Sequence, residues 1–170
     1  AAANVPFVQL DLPDVIKLRR EWLPPKPNEM LLAASAFDSD WLNTLQQQFP
    51  AAQFLFVMEG VLMYFPQDMV RRLIQNLARF HGSEMAFDAV GSLVVKQQHK
   101  HDVLAKVQTR IVYAYDNERE MEQWAENVKL LSAKYYAEFA EFKRAGLIYW
   151  LIRLLPCMRK LFKLLHYRIE

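Results

Sequence analysis

The chain has 170 residues, 53 % hydrophobic and 24 % charged, with a formal net charge of +2. That size and balance fit one globular domain with a full core, and they argue against a disordered chain or one whose charge recruits nucleic acid. Cys157 is the single cysteine, so no intrachain disulfide can form; with no signal-peptide pattern and no long uncharged apolar run, the expectation is a soluble cytoplasmic protein that does not span a membrane.

Val5 to Leu10 is short and apolar and reads as a strand. Pro13 suits a first helical turn, and Val15, Ile16, Leu18, Trp22 and Leu23 recur at roughly helical spacing up to the break Pro24-Pro25-Lys26-Pro27. Met30 to Ala34 is a second strand candidate. Asp38-Ser39-Asp40 offers caps for a helix carrying Trp41, Leu42 and Leu45, which Pro50 ends. Phe54 to Met58 is a third strand, and Pro66-Gln67-Asp68 opens a helix with Met69, Val70, Leu73, Ile74 and Leu77 on one face. His81-Gly82 closes that helix, and Glu84 to Val90 is a fourth strand. Strands alternating with helices through short links predict a parallel α/β sheet.

The second half is less regular. Leu93 to Val107 reads as a helix, Arg110 to Tyr115 alternates weakly, and Asp116-Asn117 precedes a helix through Met121, Trp124 and Ala125. Val128 to Tyr136 fits either a strand or a helix. Leu147 to Leu155 is strongly apolar. Met158 to Leu165 reads as a helix, and His166 to Glu170 as a terminal strand or a frayed end. Arg153, Arg159, Lys160, Lys163 and Arg168 lie among leucines, as the solvated face of a core-packing helix or, less simply, as a membrane-surface helix.

The stretch richest in chemistry is Glu59-Gly60-Val61-Leu62-Met63-Tyr64, directly after the third strand. Open α/β sheets bind ligands at the C-terminal ends of their strands, and Glu59 falls there. Its structural alternatives are capping the next turn or pairing with an arginine. Asp88 falls near the end of the fourth strand. No histidine is a convincing base: His99 and His101 point to different helical faces, which also argues against a metal site.

Four stretches in register carry a resemblance: Leu10-Asp11-Leu12-Pro13-Asp14-Val15-Ile16; Ala33-Ala34-Ser35-Ala36-Phe37-Asp38 with Trp41-Leu42; Glu59 to Tyr64; and Met85-Ala86-Phe87-Asp88. Tyr115-Asp116-Asn117 with Glu122 and Trp124 adds to it. The chain resembles the leucine carboxyl methyltransferase-like family, and within it the bacterial branch of polyketide-type O-methyltransferases. The resemblance implies a class I methyltransferase (Rossmann-like) sheet with helices on both faces, and S-adenosylmethionine as cofactor. Residues 1–92 would form the cofactor-side half of a single partial domain and 93–170 the acceptor-side half.

Carried over residue by residue, the resemblance has Asp11 accepting hydrogen bonds from the ribose hydroxyls, although Asp11 could equally cap the helix at Pro13. Ser35 and Ala36 fall where the family contacts adenine; relatives often carry Asp-Leu there, so Ser35 departs from the pattern. Glu59 would meet the amino group of the cofactor. Tyr64 would face the transferred methyl or the acceptor, as a catalytic or substrate residue, and Asp88 the acceptor. The acceptor expected is a small molecule offering a carboxylate or hydroxyl oxygen, with no metal.

The family's first strand and its glycine-rich loop have no counterpart in this sequence, which holds four glycines, none paired in a phosphate loop. The expected strand order is third, second, first, fourth, fifth. Leaving out the first strand exposes two apolar edges. Three outcomes are open: an N-terminal segment completes the sheet, a second copy does so as a homodimer, or the second and fourth family strands pair directly. The rival reading is a non-catalytic remnant that dimerises through Leu147 to Leu155.

Overall fold

The computed structural model describes residues 5–98, 110–141, 146 and 156–170. It divides into two units, Ala1–Ala52 and Gln53–Glu170.

In the first unit the opening apolar run forms β1 (Phe7–Asp11), and α1 (Pro13–Trp22) follows with proline at its first turn. Proline has no N–H to leave unpaired there and its φ is already helical. Asp14 sits in the first turn and Arg19 and Arg20 in the last, matching the helix dipole at both ends. Next come β2 (Glu29–Ala33) and α2 (Asp40–Gln48). β1 and β2 pair in parallel from Phe7 opposite Glu29 to Asp11 opposite Ala33. Ile16, Trp41, Leu42 and Leu45 are buried. The rest of the apolar spacing in α1 does not turn inward: Val15, Leu18 and Trp22 are exposed, Trp22 at 76 %. They border a groove of about 310 Å³ beside Asp11.

The second unit begins with β3 (Leu55–Met58), followed by a 3₁₀ turn (Leu62–Tyr64), α3 (Gln67–Leu77), β4 (Glu84–Val90) and α4 (Ser92–Gln97). Val70, Leu73, Ile74 and Leu77 of α3 are buried, as their spacing predicts. Beyond lie a 3₁₀ turn (Glu120–Gln123), β5 (Val128–Tyr135), a second such turn (Tyr136–Glu138), α5 (Pro156–Arg159) and β6 (Phe162–Ile169). The sheet runs β3-β4-β6-β5. β3 and β4 are parallel, whereas β6 runs antiparallel to both β4 and β5. The core combines Met85, Phe87 and Ala89 of β4 with Leu165, Tyr167 and Ile169 of β6.

Several readings of the second half need correction. Met158 to Leu165 is not a helix: α5 stops at Arg159, and β6 takes Phe162 onward, including the stretch His166 to Ile169. The expected helix through Met121 and Trp124 is a single 3₁₀ turn, and Val128 to Tyr135 resolves as a strand. Arg153 lies outside the described residues; of the others, Lys163 and Arg168 sit on a strand and not on a helical face. Lys163 is 1 % exposed on the inner side of β6, while Arg168 pairs with Glu84 at 3.1 Å and Arg159 with Glu138 at 3.7 Å. Leu147 to Leu155, His99 and His101 lie outside the described residues, as does most of the helix read from Leu93 to Val107. No described helix is long and apolar enough to cross a membrane.

The described strands form a two-stranded and a four-stranded sheet. Among the described residues β1 pairs only with β2, and β3 pairs on one side only, with β4. Both edges remain apolar, with Phe7 at 60 %, Leu55 at 62 % and Val57 at 65 % exposure.

Candidate functional site

Both parallel pairs present their chemistry at the C-terminal ends of the strands, where strand carbonyls give way to loops able to meet a ligand. In the first unit the paired ends Asp11 and Ala33 bring Asp11 together with Ser35 and Ala36. The Ala34 N–H donates to the Asp11 carbonyl at 3.0 Å, which ties the two loops. Asp11 does not reach into the helix as its cap. Leu12 is the N-cap of α1, and the Asp11 Oδ1 accepts the Leu12 N–H at 2.8 Å. Its carboxylate stays at the surface, with Oδ2 outside that bond. The Ser35 hydroxyl accepts the Phe37 N–H at 3.2 Å, and the Ala36 carbonyl accepts the Trp41 indole N–H at 3.2 Å. These two bonds shape the turn after β2. The caps foreseen at Asp38-Ser39-Asp40 are not made by side chains: Ser39 is the N-cap, but its hydroxyl makes no capping bond.

In the second unit Glu59 follows β3 directly and is exposed. It forms no ion pair among the described residues, so its pairing with an arginine is not observed. Gly60 turns the chain with φ of 65°, a conformation glycine adopts without a Cβ clash. Its N–H donates to the Asp88 Oδ1 at 2.7 Å, so the loops after β3 and within reach of β4 are joined at that carboxylate. Tyr64 is half-buried at the end of the Leu62–Tyr64 turn. The Met63 carbonyl beside it accepts the N–H groups of Val112 and Tyr113, at 3.0 and 3.2 Å. Gly60 thus ties the turn beginning at Glu59 to Asp88 in β4, and in the other unit the end of β1 at Asp11 is tied to the turn holding Ser35 and Ala36.

Three hydrogen-bonded groups to which the sequence reading gave no bracing role hold the second unit together. Lys163 donates to the Tyr115 carbonyl at 2.6 Å and to the Glu118 Oε1 at 2.8 Å. Burial pushes the Glu118 carboxyl up, but the Lys163 and backbone hydrogen bonds outweigh it and hold it below its ordinary value. Tyr135 donates to the same Glu118 oxygen at 3.1 Å; burial and that carboxylate push its phenol up to about 12. Tyr113 donates to Glu120, and Gln67 bridges both from α3. The Asp116 Oδ1 accepts the Ser92 N–H at 2.9 Å. The Tyr115-Asp116-Asn117 stretch was the available signal for this strap. Lys163 had none, because its charge hid a core position. No group of three metal-ligating side chains occurs among the described residues.

The architecture is that of the class I methyltransferase fold. It superposes on a Thermobifida fusca protein assigned as a methyltransferase with a TM-score of 0.63, at 16 % identity, covering 96 % of this chain and 62 % of that one. A SAM-dependent methyltransferase from Anabaena variabilis gives 0.60 at 11 % identity, covering 96 % and 68 %. Human N-acetylserotonin methyltransferase, solved with SAM, gives 0.53 at 10 %, covering 96 % and 40 %.

Residues 1–78 match the model of the leucine carboxyl methyltransferase family. The tetracenomycin polyketide synthesis O-methyltransferase TcmP of Streptomyces glaucescens is 36 % identical over 91 residues, which make up 51 % of this chain and 32 % of that protein. The matched stretch therefore spans about a third of this curated relative.

Proposed function

We propose that the chain carries the greater part of an S-adenosylmethionine-dependent O-methyltransferase whose acceptor is a small molecule. The observation that carries this reading is the pair of parallel strand couples, each ending in an exposed carboxylate, Asp11 after β1 and Glu59 after β3. The chemistry of the donor set fits the cofactor. The free oxygen of Asp11 suits a ribose diol, Glu59 suits an ammonium, and the turn at Ser35 and Ala36 offers a small, partly apolar seat for adenine. Bound S-adenosylmethionine would supply a methyl group on a sulfonium, already a good leaving group. The protein's part is then to hold and orient the reactants and to exclude water. Tyr64 and Asp88 are assigned to the acceptor side.

Calorimetric titration with S-adenosylhomocysteine tests this reading. Micromolar binding by the folded chain is the expected outcome; a folded chain that binds none overturns it. The second reading, a non-catalytic remnant that pairs with another chain, draws on the apolar edge residues Leu55 and Val57. It predicts association without cofactor binding.

A further inference from the structure

The parallel register between β3 and β4 runs to Met58 opposite Phe87 and stops there. β4 continues past that point, and its next residue, Asp88, is held in the sheet opposite Leu164 of β6. Glu59 and Gly60 have already left β3. The bond from the Gly60 N–H to the Asp88 Oδ1, at 2.7 Å, spans this fork. It is charge-assisted and of the stronger kind. The same N–H belongs to the planar peptide unit that starts at the Glu59 carbonyl, so fixing the N–H also fixes the backbone on the C-terminal side of Glu59. Gly60 supplies little restraint of its own. Its φ is 65°, nothing lies within 4 Å of the place a Cβ would take, and glycine has the widest choice of conformations. Glu59 is exposed and forms no ion pair among the described residues.

We propose that Asp88 is a positioning residue for the donor side of the site: its Oδ1 pins the turn that sets where the Glu59 carboxylate stands, and through Glu59 it controls affinity for the ammonium end of the cofactor. The inference rests on the methyl-transfer reading above, in which Glu59 meets that ammonium. A turn left to an unrestrained glycine would carry the Glu59 carboxylate through many positions, and binding would have to order it. A turn already tied to a residue of the sheet presents the carboxylate in place, so that cost is absent at the moment of binding. Asp88 acts here as a hydrogen-bond acceptor and not as a charge facing the ligand. The role uses Oδ1 alone; no described hydrogen bond engages Oδ2, which stays available on the acceptor side.

The experiment titrates S-adenosylhomocysteine and methylthioadenosine into the chain and its variants at neutral pH. Methylthioadenosine keeps the adenosine and the sulfur and lacks the amino-acid end, so it makes no demand on Glu59. Asp88→Ala should weaken S-adenosylhomocysteine about tenfold and leave methylthioadenosine within about twofold of the unaltered chain. Asp88→Asn keeps an acceptor oxygen without the charge and should retain most of the S-adenosylhomocysteine affinity. Once Glu59→Gln has removed the group being positioned, adding Asp88→Ala should cost no more than about twofold. Hydrogen exchange on the unaltered chain adds a measurement that needs no variant to fold: the Gly60 amide should be protected although its residue is exposed. Equal weakening of both ligands by Asp88→Ala would show a merely structural role and overturn the proposal. An Asp88→Asn variant as weak as Asp88→Ala would overturn it in favour of a direct charge, and a Gly60 amide that exchanges like a free loop overturns it as well. A chain that binds S-adenosylhomocysteine with or without Asp88 sinks this proposal alone; one that binds none sinks the methyl-transfer reading and this proposal with it.

Discussion

Glu118 and Lys163 form a pair whose lysine is 1 % exposed, held at 2.8 Å. Removing one partner of such a pair leaves a charge with too little solvation. Glu118→Gln should therefore destabilise the second unit by about 3 kcal/mol, measured by urea unfolding, whereas Lys163→Met should cost less because it leaves no buried charge. The pH dependence follows from the lowered carboxyl. A folded-state value below the ordinary 4.5 makes the contribution of Glu118 complete above that pH and lost as pH falls through the lower value. The difference in stability between the unaltered chain and Glu118→Gln should shrink in that acid range; a constant difference down to pH 2 would contradict it. At the cofactor side, Asp11→Ala and Glu59→Gln should each weaken S-adenosylhomocysteine binding by at least about tenfold in calorimetry, with circular dichroism unchanged, since each removes a charge-assisted bond. Asp11, Ser35 and Ala36 were reached through the family resemblance, and no pattern of strand ends alone singles them out. Lys163 was not legible, because a lysine among leucines reads as a solvated helix face until the strand on which it sits is known.

Elements with one strong signal were readable. β3 is a continuous apolar run, and α3 opens after Pro66 and keeps four residues of its apolar face buried. The failure at β6 has a physical cause. Its inner positions are Lys163, Leu165, Tyr167 and Ile169, a period of two whose first member is charged, so the alternation is broken where it starts. Leu165 is 1 % exposed in that strand, and Leu165→Ala should cost about 2–5 kcal/mol in chemical denaturation. The turn after β3 depends on a backbone shape. Gly60 has open space around its missing Cβ, so Gly60→Ala meets no neighbour and its cost is that of φ at 65° alone. That should be about 1 kcal/mol, and Gly60→Asn should recover part of it.

At the scale of the molecule, alternation of strands and helices made the α/β class readable, while the antiparallel β6 and β5 were not. Parallel couples announce themselves by the helices between them; an antiparallel strand needs only a partner distant in sequence. The edges at β1 and β3 are the feature with the plainest solution behaviour. Among the described residues β1 and β3 are each paired on one side, and an open apolar strand edge recruits another strand. The chain should self-associate in sedimentation velocity, and Val57→Lys, which charges an exposed position without touching the core, should reduce that association. Unchanged sedimentation would mean that the edge is protected in some other way.

β6 lies between β4 and β5, yet it is the last of these four strands to leave the ribosome. While it is still inside the exit tunnel, β5 has no strand to join and the β4 edge that receives β6 stays open. The sheet cannot be built by adding strands outward in the order of their synthesis; it closes by insertion of its latest piece. The nascent chain thus waits, with Phe87 lacking the Tyr167 ring that stacks on it, for the eight residues of β6. A ribosome stalled just short of Phe162 would hold a chain that chaperones recognise, and one whose β6 has cleared the tunnel would not.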